Sequence, residues 1–299
     1  MSEPFVIETS ELRKRYDGVE ALRGLTLQVP AGSIYGFLGR NGAGKTTTAK
    51  ILLGMTRPTS GQVRVFGSPA DVPRVSVDIR RRVGFVSDEK DLYDYMTVGE
   101  IIGFTRGFYP RWRPDLEERY LKSFDLPPDR KVKALSRGTR TKLALLLALC
   151  RGAELLILDE PTSGLDPAVT EEVLQALVAH VASQEMTVFF SSHQIAEVDQ
   201  IADHVAIIDR GLAVVAGGLD DLRDSYRRIQ LVFDADAPET TFRAPGVERV
   251  RRKGRVLTVL SSAGSDRLVD EARALNPLSV DVTPVTLKDI FLETVVGEA

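Results

Sequence analysis

Apolar residues along this chain gather in short runs cut by glycine, proline and acidic residues, which is the rhythm of strands alternating with helices. Residues 33–38, 155–158 and 187–192 are nearly continuous apolar stretches and are predicted as buried strands. Residues 5–8 and 25–29 read as strands flanking a turn at Asp17-Gly18, and 61–67 and 83–87 as further short strands. From 98 to 151 the spacing becomes helical, with Pro114 where a helix can begin and Gly152 where one ends. That stretch predicts a helical subdomain at about 88–152, inserted between strands. Residues 204–217 read as a hairpin turning near Asp209-Arg210-Gly211, and 219–225 as a closing helix. Beyond Tyr226, short strands (229–233, 247–250, 256–260, 280–282) mix with helices near 266–275 and 287–296, a small α+β appendage. The expectation is an α/β domain over 1–225 and an accessory α+β domain over 226–299.

The predicted strand at 33–38 runs into Gly39, Arg40, Asn41, Gly42, Ala43, Gly44, Lys45, Thr46 and Thr47, a full match to G-x-x-x-x-G-K-[ST]. Glycines here let backbone N–H groups approach phosphate oxygens with no Cβ in the way. Lys45 would face the β- and γ-phosphates, and Thr46 would ligate Mg²⁺. A helix is predicted from 46 to 53, stopped by Gly54, and its N-terminus adds a dipole that favours an anion.

The strand at 155–158 ends in Asp159 and Glu160, and Pro161 breaks the ladder so that both carboxylates can turn toward the following loop. Asp159 is predicted to position Mg²⁺, and Glu160 to act as the base that orients an attacking water. His193 stands at the end of 187–192, the sheet edge where ligands bind, and is the histidine placed to sense a γ-phosphate. His180 and His204 are read as structural. Ser136 and Gly138, ahead of the apolar run 143–150, have two readings, a helix cap or a second anion site, and the residues alone leave both open. Asp166 before Pro167 is at least a helix cap. Tyr16 is either a ring to stack on a purine or a half-buried edge-strand residue. Trp112 is read as packing under the subdomain, Arg80-Arg81-Arg82 as a solvated helix face, and the arginine-rich stretch 249–255 as a solvated turn.

A net charge of −3 over 299 residues, with a pI near 5.8, gives no global attraction to nucleic acid. The one cysteine, Cys150, excludes an intramolecular disulfide framework and fits a reducing cytosol. The N-terminal residues are polar and unlike a secretory signal, and the longest apolar run, 143–150, is far short of the roughly 20 residues that cross a bilayer.

Taken in order, the phosphate loop, the acidic and aromatic loop 88–96, Leu135-Ser136-Arg137-Gly138-Thr139, the run Ile-Leu-Asp-Glu-Pro-Thr-Ser-Gly-Leu-Asp at 157–166, and Ser191-Ser192-His193 resemble the ATP-binding subunit of an ABC transporter. The resemblance covers about residues 5–225. The run 93–98 and the C-terminal run 287–295 extend it toward bacterial subunits that pair with ABC-2 type permeases, usually exporters. It implies a phosphate-loop NTPase core with an N-terminal antiparallel β part, bound ATP and Mg²⁺, and hydrolysis to ADP and phosphate. By the same resemblance Tyr16 would stack on adenine, His193 would contact the γ-phosphate and Asp166 would communicate across a dimer. Ser136 and Gly138 would close over ATP held by the opposite subunit, either a second copy or a homologous ATPase subunit. The partner would be a separate transmembrane permease, and the location the cytoplasmic face of the membrane.

Two motifs depart from the family's pattern, at Arg137 and Thr139 in one and at Asp88 in the other. The usual signature LSGGQ is LSRGT here, keeping Ser136 and Gly138, and the expected loop glutamine falls on Asp88, with Glu89 beside it. A carboxylate at 88 still reaches Mg²⁺ or water but donates no amide hydrogen bond. The competing readings are a soluble ATPase acting on ribosomes or nucleic acid, and a weakly hydrolysing regulatory subunit. Against the first stand the single ATP cassette and the lack of a long coiled-coil insertion; the altered signature and loop leave the second open.

Overall fold

The computed structural model describes residues 5–184, 186–263 and 265–296, so the outer ends of the two expected domains, 1 and 299, lie outside the described residues. The chain divides into two compact units, Met1–Ala216 and Gly217–Ala299. This moves the expected boundary at 225/226 back by one short helix. Leu219 and Leu222 of that helix, Leu219–Ser225, are buried, and it packs with the helix Leu287–Phe291 of the second unit.

The first unit opens with an antiparallel hairpin of β1 (Phe5–Tyr16) and β2 (Val19–Pro30). β3 (Ile34–Gly39) and α1 (Lys45–Leu52) follow, then β4 (Ser60–Val65), β5 (Ser68–Pro69), α2 (Pro73–Arg82) and β6 (Val83–Val86). The inserted helices are α3 (Val98–Arg106), α4 (Pro114–Ser123) and α5 (Arg137–Leu149). β7 (Leu155–Asp159), α6 (Pro167–Gln184), β8 (Thr187–Ser192), α7 (Ile195–Ile201) and β9 (His204–Asp209) follow, and β10 (Leu212–Gly218) runs past the end of the unit by two residues. One sheet has the order β2-β1-β4-β5 and the other β10-β9-β3-β8-β7-β6, in which β6, β7, β8, β3 and β9 run parallel.

The core lies between these sheets. Alternate residues of the hairpin (Ile7, Leu25, Leu27) face Phe37, Ile157 and Phe189 of the parallel strands, and Ala49, Ile51 and Leu52 of α1 fill the space between. Every residue of β3, β7 and β8 is buried, as the continuous apolar runs require of a sheet covered on both faces. On the other face α7 comes so close to β3 that a Cβ on Gly36 would lie 2.5 Å from Val198 Cγ1. Parallel alignment puts the carboxyl ends of β3, β6, β7 and β8 on one edge, and so brings residues 39–47, 88, 159–160 and 193 together.

In the insert, Thr97 caps α3 in a capping box with Glu100, and Pro114 opens α4. Trp112 is buried and donates to Glu117 Oε2 at 2.6 Å, so the packing reading holds. Cys150, which ends α5, is fully buried, and burial pushes its thiol up to about 12. His180 on α6 is also buried, with Nδ1 2.8 Å from the Tyr120 hydroxyl on α4; burial pulls its pKa down to about 4. The reading of Arg80-Arg81-Arg82 as a solvated face needs correction. Arg80 donates to the Leu53 carbonyl, and Arg82 lies 3.7 Å over the Phe66 ring and pairs with Glu154 at 2.6 Å, which leaves Arg81 as the exposed one.

The second unit adds α8 (Leu219–Ser225), β11 (Arg227–Val232), β12 (Val247–Lys253), β13 (Val256–Ser261), α9 (Ser265–Arg273), β14 (Ser279–Pro284) and α10 (Leu287–Phe291). Its antiparallel sheet, in the order β12-β13-β11-β14, has its own core of Ile229, Leu231, Leu257, Val259 and Leu268. The arginines near the β12–β13 turn are largely satisfied inside the unit: Arg249 and Arg251 face Glu293, Arg252 faces Glu239, and Arg255 donates to the Phe233 carbonyl. Among the described residues no helix is long and apolar enough to cross a membrane.

Candidate functional site

Between β3 and α1 the chain turns through two left-handed glycines, Gly42 at φ 82° and Gly44 at φ 112°. A Cβ on Gly44 would sit 2.7 Å from the Ala21 carbonyl oxygen, so no other residue fits. A Cβ on Gly42 would meet nothing, which leaves that backbone open to a ligand. The loop is tied to the β9–β10 turn where Gly211 N–H donates to the Ala43 carbonyl at 3.0 Å. Above it lies a cleft lined by Ala21, Asn41, Gly42, Gly44, Lys45, Thr46, Thr47, Asp88 and Glu160. The helix start supplies unsatisfied N–H groups and a positive dipole end to this cleft.

Lys45 is buried, and its ammonium is surrounded by three oxygens. It donates to the carbonyls of Gly39 (2.7 Å) and Arg40 (3.1 Å) and lies 3.0 Å from Glu160 Oε1. The other carboxylate oxygen of Glu160 is 2.7 Å from His193 Nδ1. Glu160 thus stands between the lysine of the loop and the histidine that ends β8. It does so from a left-handed backbone, φ 48°, a conformation that costs a non-glycine residue about 1–2 kcal/mol.

Ser191 on β8 explains how the strand end holds both acids, and sequence reasoning missed it. Its hydroxyl donates to Asp159 Oδ1 at 2.7 Å and accepts the Glu160 N–H at 3.0 Å. Lys90 was missed as well. Only 5% exposed, it donates to the Glu160 carbonyl at 3.0 Å and lies 3.8 Å from Asp88 Oδ1. Burial pulls its ammonium below the ordinary lysine range, and Asp88 pulls it back. A lone lysine in an acidic loop carries no local signal for either contact.

The structure brings Asn41, Gly42, Gly44, Lys45, Thr46, Thr47, Asp88 and Glu160 to one cleft, with His193 joined through Glu160 and Asp159 through Ser191. Gly39 and Ala43 belong to the loop's turn and its tether. Tyr16, Ser136, Gly138 and Asp166 do not line this cleft. Tyr16 is exposed at the end of β1, with Lys14 Nζ 4.6 Å from its ring centre. Ser136 caps α5, accepting the Thr139 N–H at 3.1 Å, and Asp166 caps α6 by accepting from Val169 N–H at 3.0 Å. Gly138 sits against α6, where a Cβ would be 3.1 Å from Val169 Cγ1.

Among the described residues no group of three or more His, Cys, Asp or Glu is placed to hold a metal ion. The cleft's donors, the Thr46 hydroxyl and the Asp88 carboxylate, suit Mg²⁺, which takes one or two protein oxygens and fills its octahedron with phosphate oxygens and water. Beyond the cleft, Tyr93, Tyr95, Phe104 and Phe108 are exposed and touch ring to ring, beside a groove lined by Met55, Val77, Phe85 and Tyr109.

Residues 22–163 match the protein family described as ABC transporter. The chain is 26% identical over 287 residues to the ABC transporter ATP-binding protein YtrB of Bacillus subtilis, covering 96% of this chain and 97% of that protein. It is 35% identical over 225 residues to the bacitracin transport ATP-binding protein BcrA of Bacillus licheniformis, covering 75% and 73% of the two chains. It also resembles the solved structure of cbiO1 from Clostridium perfringens, part of the ABC transporter complex cbiONQ, with 27% identity and a TM-score of 0.63 over 72% of this chain and 89% of that one.

Proposed function

The chain belongs to the ABC transporter ATP-binding proteins, and from that premise we propose that it binds and hydrolyses ATP to drive a separate transmembrane permease. The observation that carries this reading is Glu160, held between Lys45 and His193 beside an open phosphate loop. Lys45 would exchange the loop carbonyls and Glu160 for the β- and γ-phosphates. Glu160, released from the lysine, would accept a hydrogen bond from water and aim it at the γ-phosphorus, while His193 would hold the carboxylate and contact the γ-phosphate. Thr46 and Asp88, with Asp159 behind them on Ser191, would hold Mg²⁺, which when bound neutralises the charge that develops on the phosphates.

Ser136 and Gly138 lie outside the phosphate-loop cleft, so in this reading each closes over ATP bound by a second subunit, Asp166 links the two sites, and Tyr16 stacks on adenine. The exposed aromatic surface from Tyr93 to Phe108 would meet the permease at the cytoplasmic face of the membrane. A relative named for bacitracin transport supports a role in moving a compound across a membrane, and we assign the direction as export.

Phosphate release from Mg²⁺-ATP tests the proposal. Removing a preorganised donor to the transition state typically costs about 3 kcal/mol, so Lys45→Ala is expected to slow hydrolysis 100-fold or more. Glu160→Gln should bind ATP and stall as a dimer. Ordinary turnover by Glu160→Gln would remove that carboxylate from the mechanism. Affinity isolation from native membranes should recover a multi-span protein, and recovery of ribosomes or nucleic acid instead would overturn the transporter assignment.

A further inference from the structure

Lys90 is a buried charge to which the chemistry above gives no task. It lies in an acidic, mostly exposed loop, yet its side chain is 4% exposed and its backbone left-handed at φ 45°. Burying an ammonium is unfavourable unless protein oxygens replace its water. Few do so here. The Glu160 carbonyl accepts at 3.0 Å and Asp88 Oδ1 lies at 3.8 Å, while Asp159 and the Glu160 carboxylate add favourable field and Arg137 opposes it.

The hydrogen bond falls on a main chain that needs support. Glu160 is left-handed, and such a conformation persists where surrounding groups over-determine it. Its N–H is taken by Ser191 at 3.0 Å, and its carbonyl accepts from Ser163 N–H at 3.2 Å and from Lys90. The Ser163 bond is local and turns with the loop. Ser191 and Lys90 are the two anchors from elsewhere in the chain, one on the sheet and one on the loop after β6. Lys90 also lines two clefts, one with Leu92, Thr105 and Tyr109, the other with Glu89, Arg137 and Arg140.

We propose that Lys90 is a positioning residue for hydrolysis: its ammonium holds the Glu160 main chain so that the carboxylate faces Lys45 and His193. Asp88, where the resembled family has glutamine, then has a second use as the nearest countercharge to Lys90. This inference rests on Glu160 being the carboxylate that orients water.

The test measures kcat for phosphate release at saturating Mg²⁺-ATP, and the affinity for a fluorescent ATP analogue, in Lys90→Arg, Lys90→Gln, Lys90→Met and Lys45→Ala. The expected kcat order is wild type, Arg, Gln, Met, with Lys90→Met at least tenfold down, and analogue affinity within about threefold of wild type for the three Lys90 variants. Lys90→Met should also accumulate an ATP-bound dimer on size exclusion, which a merely less stable protein would not do. If Lys90→Met is not recovered folded, Arg exceeding Gln at equal affinity decides. Rates within twofold of wild type for all the Lys90 variants, or kcat and affinity falling together, would overturn the role of Lys90 alone. Wild-type turnover that survives Lys45→Ala would overturn the nucleotide site itself, and this inference with it.

Discussion

Ser191 shows how one side chain sets the relation of two others. Its oxygen serves both Asp159 and the Glu160 N–H, and all three groups are buried. Ser191→Ala would orphan a carboxylate oxygen and an amide, a loss of about 1–3 kcal/mol. The expected result is a lower urea midpoint at unchanged m-value, with kcat reduced and ATP still bound. Glu160→Gln should show the opposite asymmetry in binding. It removes the charge that holds Lys45 at 3.0 Å, so a fluorescent ATP analogue should bind severalfold more tightly than to wild type. Asp159 and Glu160 were legible because an apolar run ends on them. Ser191 was not, because its partners lie 31 and 32 residues away and only the β7–β8 pairing supplies them.

Among elements, α4 and α6 meet through Tyr120 and His180, and the burial of His180 there makes stability depend on pH. Folded, His180 holds out against protonation to about 4, whereas the unfolded chain takes up that proton near the ordinary 6.5. Its contribution is therefore fully present above pH 6.5 and is lost as pH falls from 6.5 toward 4, by up to about 3 kcal/mol. Urea melts at pH 7, 5.5 and 4.5 should show the decline, and His180→Leu should flatten it. The element pattern also shows where periodicity misled. β1 and β2 each run 12 residues, against expected strands ending at 8 and beginning at 25. A bulge at Glu11, left-handed at φ 47°, shifts register between Thr9 and Leu12 and resets the in-and-out alternation, so a fixed period of two cannot follow the strand. The parallel strands were legible throughout, because a strand covered on both faces needs no alternation.

At the scale of the molecule, each unit has its own hydrophobic core, so calorimetry should resolve two transitions, with Mg²⁺-ATP raising the one that belongs to the phosphate-loop unit. A single transition that shifts as a whole would contradict this. The change in motif density near Tyr226 suggests two parts, but where residues 219–225 belong depends on the packing of α8 with α10, with Leu219 and Leu222 buried, and that is a tertiary fact. The one thiol of the chain, Cys150, is sealed in the interior and almost fully protonated at neutral pH. Maleimide reagents should therefore pass the native protein by. A cysteine introduced at exposed Arg137 would be the sole labelled atom, and a spin or fluorophore pair there could report the distance between two copies with and without nucleotide, in a background that needs no prior removal of natural sulfur.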